Sequence, residues 1–292
     1  MKIIRARVLG FCMGVRRAVT MAEEMLDKCA DMQTPVYTMG PLIHNPSVLK
    51  KLTDRGLHTL EEKDIPGLPD GSTVVIRAHG IPPVLQQALT AKGAQIADAT
   101  CPRVKVNQKR AAEFSEKGYT VILTGDKGHG EVSSIAGYAK NKLVLLQNEP
   151  EAEEYVRQLT DCTIRAVLLS QTTFDPAVFE RISGLLKAHM PNLEVHNTIC
   201  TATQERQTAL DELIRSCDGI LVIGGRMSAN TRRLYHTAAV SCPHAAHIES
   251  AQEIPEEFFS LNVVGITAGA STPDDIIDAV ERRLRDGAAG CR

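Results

Sequence analysis

The sequence predicts an α/β fold of parallel sheets, repeated as three similar small domains, and three observations carry that prediction. Short apolar runs (STVVI, YTVIL, RAVLL, GILVI, NVVGI) alternate with helical patterns, the rhythm of βαβ units. Their apolar residues are consecutive and β-branched, as in strands buried on both faces. Cys12, Cys101 and Cys200 divide the 292 residues into near-equal thirds, each lying between a β-type run and a helical pattern.

Taken in order, residues 3–9 read as a strand leading to Cys12. Beyond it Val15, Ala18, Val19, Ala22, Met25 and Leu26 fall at helical spacing. A strand then ends in MGPLIHN, EEKDIPGLPDGS reads as a turn-rich crossing, and STVVIRAHG is a strand ending at His79. Residues 94–99 form the strand before Cys101. In the second third a helix precedes YTVIL, which ends in TGDKGHGEV; QNEPEAEEY starts a helix after a turn, and RAVLLSQTTF is the next strand. Residues 193–199 lead to Cys200, followed by a helix with Leu210, Leu213 and Ile214, then by GILVIGGRMSAN and NVVGITAGAST. Each third therefore reads α–β–α–β–α–β. His129 and Ser228 lie 28 residues beyond Cys101 and Cys200, and Thr172 and Ser271 lie 71 beyond the same cysteines. The gaps in the first third are 32 to His44 and 67 to His79. Domain boundaries follow at 13–100, 101–199 and 200–285, with a short Gly/Ala-rich tail over 286–292.

Composition narrows the function classes. A net charge of -2 carries no global nucleic-acid or membrane signal, and no apolar segment reaches the ~18–20 residues of a spanning helix. The interrupted start MKIIRARVLG is not a signal peptide, and eight cysteines without a close-set pair do not read as a disulfide scaffold. A reducing cytoplasm is the expected location.

Strand-to-helix joints lie at the C-terminal edge of a sheet, where open α/β folds collect ligands. Three thiols at three such joints suggest one shared metal site, since thiolates bind iron–sulfur clusters and zinc. Arg16, Arg103 and Arg206 nearby would favour thiolate. Three ligands, one short of the usual four, would leave one iron open and convert an electron carrier into a Lewis-acid catalyst. Cys29, Cys162, Cys217, Cys242 and Cys291 lack this context and stand outside the expected site. The loops GGRMSANTRRL and TAGASTPDDII offer backbone N–H groups with Ser228, Asn230 and Ser271, but no Walker ending. With the strand-end histidines His44, His79 and His129 they suggest a diphosphate cradle, in which imidazolium would bind phosphate and neutral imidazole would pass protons. Glu131, two residues after His129, would pair with Thr172 in a proton relay; enclosure beside an anion would raise its pKa, as suits a general acid.

These motifs resemble a known family. GFCMGV, LIHN, RAHG, DATCP, GHGEV, SQTT, ICTAT with a following RQ, GGRMSAN and TAGAS occur in the order and spacing of 4-hydroxy-3-methylbut-2-enyl diphosphate reductases, over nearly the whole chain. The resemblance implies a pseudo-threefold trefoil of three α/β domains around one central [4Fe–4S] cluster held by Cys12, Cys101 and Cys200, with one iron lacking a protein ligand. It implies that residues 1–12 complete the third domain. It further implies reductive removal of an allylic hydroxyl, giving isopentenyl and dimethylallyl diphosphate in the last step of the non-mevalonate isoprenoid pathway. His44, His79, His129, Thr172, Ser228, Asn230 and Ser271 would hold the substrate, with Glu131, Thr172 and His129 serving catalysis. Position 229 is Ala where some members have Ser, and the loop before His129 reads GDKGH.

No flavin or nicotinamide fingerprint is present, so electrons would come from a ferredoxin or flavodoxin. Arg16, Arg17, Arg103, Lys105, Lys109 and Arg110 would offer that donor a basic face, or a plain solvated helix surface. Competing readings are a non-catalytic iron–sulfur carrier or sensor, a three-cysteine dehydratase acting on a dicarboxylate, and a zinc hydrolase.

Overall fold

Four runs that the sequence marks as strands (TVVI, TVILT, AVLLS and GILVI) are buried along their whole length, as central strands of covered parallel sheets must be. The computed structural model describes residues 1–30, 34–140 and 142–290, with side chains described to residue 287. Cys291, one of the cysteines expected outside the site, lies outside the described residues. The chain begins β1 (Lys2–Arg5), α1 (Met13–Ala30), β2 (Val36–Met39), α2 (Pro46–Asp54), β3 (Leu57–Leu60), β4 (Thr73–Ile76), α3 (Pro83–Ala91) and β5 (Gln95–Asp98). It continues with α4 (Pro102–Glu116), β6 (Thr120–Thr124), α5 (Gly130–Ala136), β7 (Leu143–Leu146), α6 (Glu149–Arg157), β8 (Ala166–Ser170), α7 (Pro176–His189) and β9 (Leu193–Val195). The last third holds α8 (Thr201–Ile214), β10 (Gly219–Ile223), α9 (Ala229–Ser241), β11 (His244–Ile248), β12 (Val263–Ala268) and α10 (Asp274–Gly290).

Among the described residues three four-stranded parallel sheets result, ordered β3-β2-β4-β5, β7-β6-β8-β9 and β11-β10-β12-β1. The orders are the same when each is read from its outer strand to the strand preceding a cysteine. β1 closes the third pattern by pairing Lys2–Arg5 with Val263–Ile266, so the first residues of the chain belong to the sheet of the last third.

Each third therefore holds one more strand than its α–β–α–β–α–β reading. The additions are the outer strands β3, β7 and β11, with sequences LHTL, LVLL and HAAHI. Two of them mix histidine or threonine with leucine or alanine, and such short edge segments are specified by their partner's open hydrogen bonds rather than by periodicity. The strands before the cysteines end early. Beyond β9, Asn197 Oδ1 accepts from Ile199 N at 3.1 Å and Thr198 Oγ1 from Ser170 N at 2.7 Å, side-chain bonds that replace the ladder. The EEKDIPGLPDGS crossing contains a 3₁₀ turn over Glu62–Gly67, and α6 starts after Asn148, whose side chain accepts from Glu151 N. Residues 286–290 of the Gly/Ala-rich tail are not separate from the fold, because α10 continues to Gly290.

The chain packs as two compact units. The first comprises residues 1–16, 43–54 and those from Thr201 onward, with the β11-β10-β12-β1 sheet. Leu221, Ile223 and Ile266 pack on one face of this sheet with Phe258 and Val280; Ile220 and Val222 pack on the other with Leu210 and Leu234. The second comprises residues 17–42 and 55–200, with the other two sheets. In the β7-β6-β8-β9 sheet, Ile122 and Leu168 face Phe179 and Ile182, while Val121 and Leu123 face Ala111 and Ile135. The period of two along a strand feeds both layers, and each large side chain so buried contributes about 1.5–3 kcal/mol.

Candidate functional site

The expected site residues fall into both units. In the second, Cys101 is the residue before α4, with Pro102 at the first helical position, and Cys200 precedes α8. Cys101 N donates to Ala78 O (2.9 Å) and Cys200 N to Thr172 O (2.8 Å), each acceptor two residues past the end of β4 or β8. In the first unit, Cys12 N donates to Ala270 O (3.1 Å), again two residues past a strand, β12. The three thiols thus hang from one repeated backbone arrangement. All three are half-buried, and Val15 N–H approaches Cys12 Sγ at 3.5 Å as it would a thiolate acceptor. Partly accessible thiols at helix starts fit a thiolate-held iron–sulfur group.

The other described cysteines are placed differently. Cys29 is buried 3.5 Å from Thr73 Oγ1, and Cys242 is buried against the carbonyls of Asp218 and His244. Cys217 packs in a core cluster, where burial pushes its thiol up, and Cys162 is exposed.

Further groups meet in the second unit around the start of α5. His129 is its N-cap, and its Nδ1 accepts from Glu131 N at 3.2 Å. An accepting Nδ1 carries no proton, which leaves Nε2 as the N–H of a neutral ring. His79 meets that ring edge to face, with centroids 4.8 Å apart. Glu131 is 1% exposed; its two carboxylate oxygens accept from Thr172 N and Thr172 Oγ1, both at 2.7 Å. The pairing expected from sequence spacing is therefore a direct double contact. Thr172 also accepts the Cys200 N–H through its carbonyl, so one residue joins the carboxylate to a cysteine loop.

Arg77, in the RAHG motif, escaped the sequence reading. Its guanidinium lies where a Cβ on Gly130 would sit, 2.4 Å from Nη2, and 2.8 Å from one on Gly40. Burial pushes Arg77 below the ordinary arginine value, yet the group stays cationic. The signal was available: an arginine two residues before a strand-end histidine, in a run otherwise apolar.

In the first unit, Ser271 Oγ donates to His44 O at 3.2 Å, and Ser228 caps α9 by accepting from Thr231 N at 3.4 Å. Ser228, Asn230 and Ser271 are buried and His44 is half-buried. The glycines of GGRMSAN have a steric reason here: a Cβ on Gly225 would stand 2.3 Å from the His44 carbonyl oxygen. On Gly269 it would meet Thr231 Oγ1 at 1.9 Å.

Most of the cations expected as a basic face have partners of their own. Arg17 donates to the carbonyls of Thr100 and Asp98, Lys105 pairs with Asp98, Lys109 lies 3.6 Å from Glu113 and Arg16 3.6 Å from Asp274. Burial raises the Asp98 carboxyl, but its bonds from Lys105 and Thr100 outweigh that and hold it below the usual carboxylate value.

The sequence profile of a family described as LytB protein matches residues 3–285. The 4-hydroxy-3-methylbut-2-enyl diphosphate reductase of Treponema denticola is 47% identical over 290 residues, covering 98% of this chain and 100% of its own. The enzyme of the same name from Aquifex aeolicus is 38% identical over 288 residues, covering 97% and 96%. A solved structure of (E)-4-hydroxy-3-methyl-but-2-enyl diphosphate reductase, the terminal enzyme of the non-mevalonate pathway, superposes with a TM-score of 0.71 at 38% identity over 98% of this chain and 100% of that one. The Plasmodium falciparum E-1-hydroxy-2-methyl-but-2-enyl-4-diphosphate reductase gives 0.88 at 27% identity, covering 96% and 87%. With its cysteine joints, strand-end histidines and full-length matches, this chain belongs to the LytB protein family.

Proposed function

We propose that this chain is a 4-hydroxy-3-methylbut-2-enyl diphosphate reductase, which removes the allylic hydroxyl of (E)-4-hydroxy-3-methylbut-2-enyl diphosphate to give isopentenyl and dimethylallyl diphosphate. The observation that carries the reading is the buried Glu131, bound through both oxygens to a threonine that also receives the Cys200 N–H. A [4Fe–4S] cluster on Cys12, Cys101 and Cys200, when bound, would supply two electrons one at a time and Lewis acidity toward the hydroxyl oxygen. The reading treats residues 13–100, 101–199 and 200–285 with 1–12 as the three domains of the enzyme, supported by the shared strand order of the three sheets.

The chain's own residues have separable tasks. His44, His79, Ser228, Asn230 and Ser271 bind the diphosphate; neutral His129 donates from Nε2, since its Nδ1 is occupied by Glu131 N. Thr172 Oγ1 donates to Oε2 of the carboxylate; once Glu131 is protonated the contact reverses, Oε2–H donating to Oγ1, and the Thr172 hydroxyl proton passes to the leaving oxygen, so that water departs. The second electron and a second proton complete the balance at either end of the allyl unit. Exclusion of water protects the reduced organic fragment until then. Ferredoxin or flavodoxin, reduced in a cytoplasm that keeps thiols free, is the donor.

The test is anaerobic purification, assay of iron and sulfide, and Mössbauer spectroscopy with and without the allylic diphosphate. A unique iron whose parameters change on ligand addition is expected. A colourless protein holding one zinc would sink the proposal in favour of hydrolysis.

A further inference from the structure

The helices that follow Cys12 and Cys200 each reach another cysteine's approach, and the helix that follows Cys101 reaches the end of β8, which Thr198 ties to the approach of Cys200. Arg17, five residues after Cys12, donates to Thr100 O (3.2 Å) and Asp98 O (3.1 Å), one and three residues before Cys101. Asn107, six residues after Cys101 and buried, donates to Ser170 O at 3.0 Å. The same carbonyl accepts from Thr198 Oγ1 at 2.6 Å, and Thr198 lies two residues before Cys200. Arg206, six residues after Cys200 and 3% exposed, donates to Gly10 O at 2.6 Å, two residues before Cys12. It also donates to Ala202 O (3.0 Å) in its own first helical turn.

Arg206 therefore spends hydrogen bonds on backbone carbonyls rather than serving only as a cation beside a thiolate. Gly10 is held in the left-handed region at φ +75°, with Ile277, Asp274 and Thr272 within 3.1–3.3 Å of any added Cβ. An acceptor so confined transmits the position of Arg206 to Cys12. The three donors, two arginines and one asparagine, stand five, six and six residues after a cysteine, a recurrence that independent surface contacts would not produce.

We propose that Arg17, Asn107 and Arg206 are positioning residues: Arg17 and Arg206 clamp the backbone that presents Cys101 and Cys12, and Asn107 acts on that of Cys200 through the Ser170 carbonyl it shares with Thr198. The inference rests on the iron–sulfur reading above. These residues touch no substrate; they fix where each sulfur stands. Cluster ligands held this way should resist exchange and give one spectroscopic species.

The experiment uses anaerobically purified, iron-loaded full-length protein with Arg206→Met, Arg206→Lys and Arg17→Gln. Iron release to a chelator, the EPR spectrum of the reduced protein, its reduction potential and the melting temperature of the metal-free form are measured. Arg206→Met should release iron about tenfold faster than wild type, the scale of one lost charged hydrogen bond. It should also broaden the EPR signal and lower the potential, because a nearby cation favours the reduced cluster. Arg206→Lys should keep the potential and restore part of the retention, since it preserves charge and one donor. Arg17→Gln, at a half-buried position, carries the same release readout should Arg206→Met fail to fold. A lower melting temperature with unchanged release, spectrum and potential would overturn the clamp alone. Wild-type protein without iron or sulfide would overturn both this inference and the function it rests on.

Discussion

Glu131 sits at 1% exposure with a hydrogen bond to each oxygen, a setting that suits the proton-delivering role proposed for it rather than that of a surface charge. Glutamine can keep both contacts, its oxygen accepting from Thr172 N and its amide facing a hydroxyl that rotates to accept. Glu131→Gln should therefore lower kcat by about 10²–10⁴-fold, the usual worth of a general acid, while iron content and substrate affinity stay unchanged. Near-normal turnover, measured anaerobically with a reduced donor, would remove Glu131 from the mechanism. Gly225 gives a second prediction. Its missing Cβ leaves room for the His44 carbonyl, and a backbone oxygen cannot swing aside as a side chain can. Gly225→Ala should cost about 1–3 kcal/mol and raise KM for the diphosphate through His44, read from melting temperature and kinetics together. The motif residues were legible because their chemistry is rare at a strand end. The glycines were read as anion-loop residues, whereas their contacts show a steric need for close backbone approach.

Elements show where local signals suffice. Asp175 caps α7 by accepting from Ala177 N and Val178 N, and the sequence places it just before Pro176. Asp175→Ala should cost about 1 kcal/mol of stability with unchanged kcat and KM, checked by denaturant titration and steady-state kinetics. Asp98, at the end of β5, makes a pH prediction. Its folded pKa lies below the ordinary 3.8, so its stabilisation is complete above that value and is lost as pH falls through the depressed folded value. Asp98→Asn should accordingly be less stable than wild type at neutral pH, with the gap closing below about pH 4; a gap that persists in acid would refute the linkage. Central strands were legible from continuous β-branched runs. The outer strands β3, β7 and β11 were not, because four or five residues, of mixed polarity in β3 and β11, become a strand only beside an open partner edge.

At the scale of the molecule, electrostatics is quieter than its arginine count suggests. The net charge is -2, and Arg16, Arg17, Lys105 and Lys109 all have local partners. Among the described residues no helix is long and apolar enough to cross a membrane. Donor-dependent kcat/KM should change less than about threefold between ~0.01 and ~0.1 M salt, a range over which the screening length shrinks from about 30 to about 10 Å. A steep fall would restore the basic docking face.

The amino-acid order alone determined the α/β class, the threefold repeat, the cysteine joints and the Glu131–Thr172 pair, because periodicity and rare chemistry are local properties readable at fixed spacing. Tertiary structure alone decided that outer strands add a fourth member to each sheet. It also decided that Arg17 and Arg206 bind carbonyls ahead of other cysteines, in contacts across 81 to 196 residues of sequence. Such partners are chosen by packing geometry, which no short window of the chain encodes.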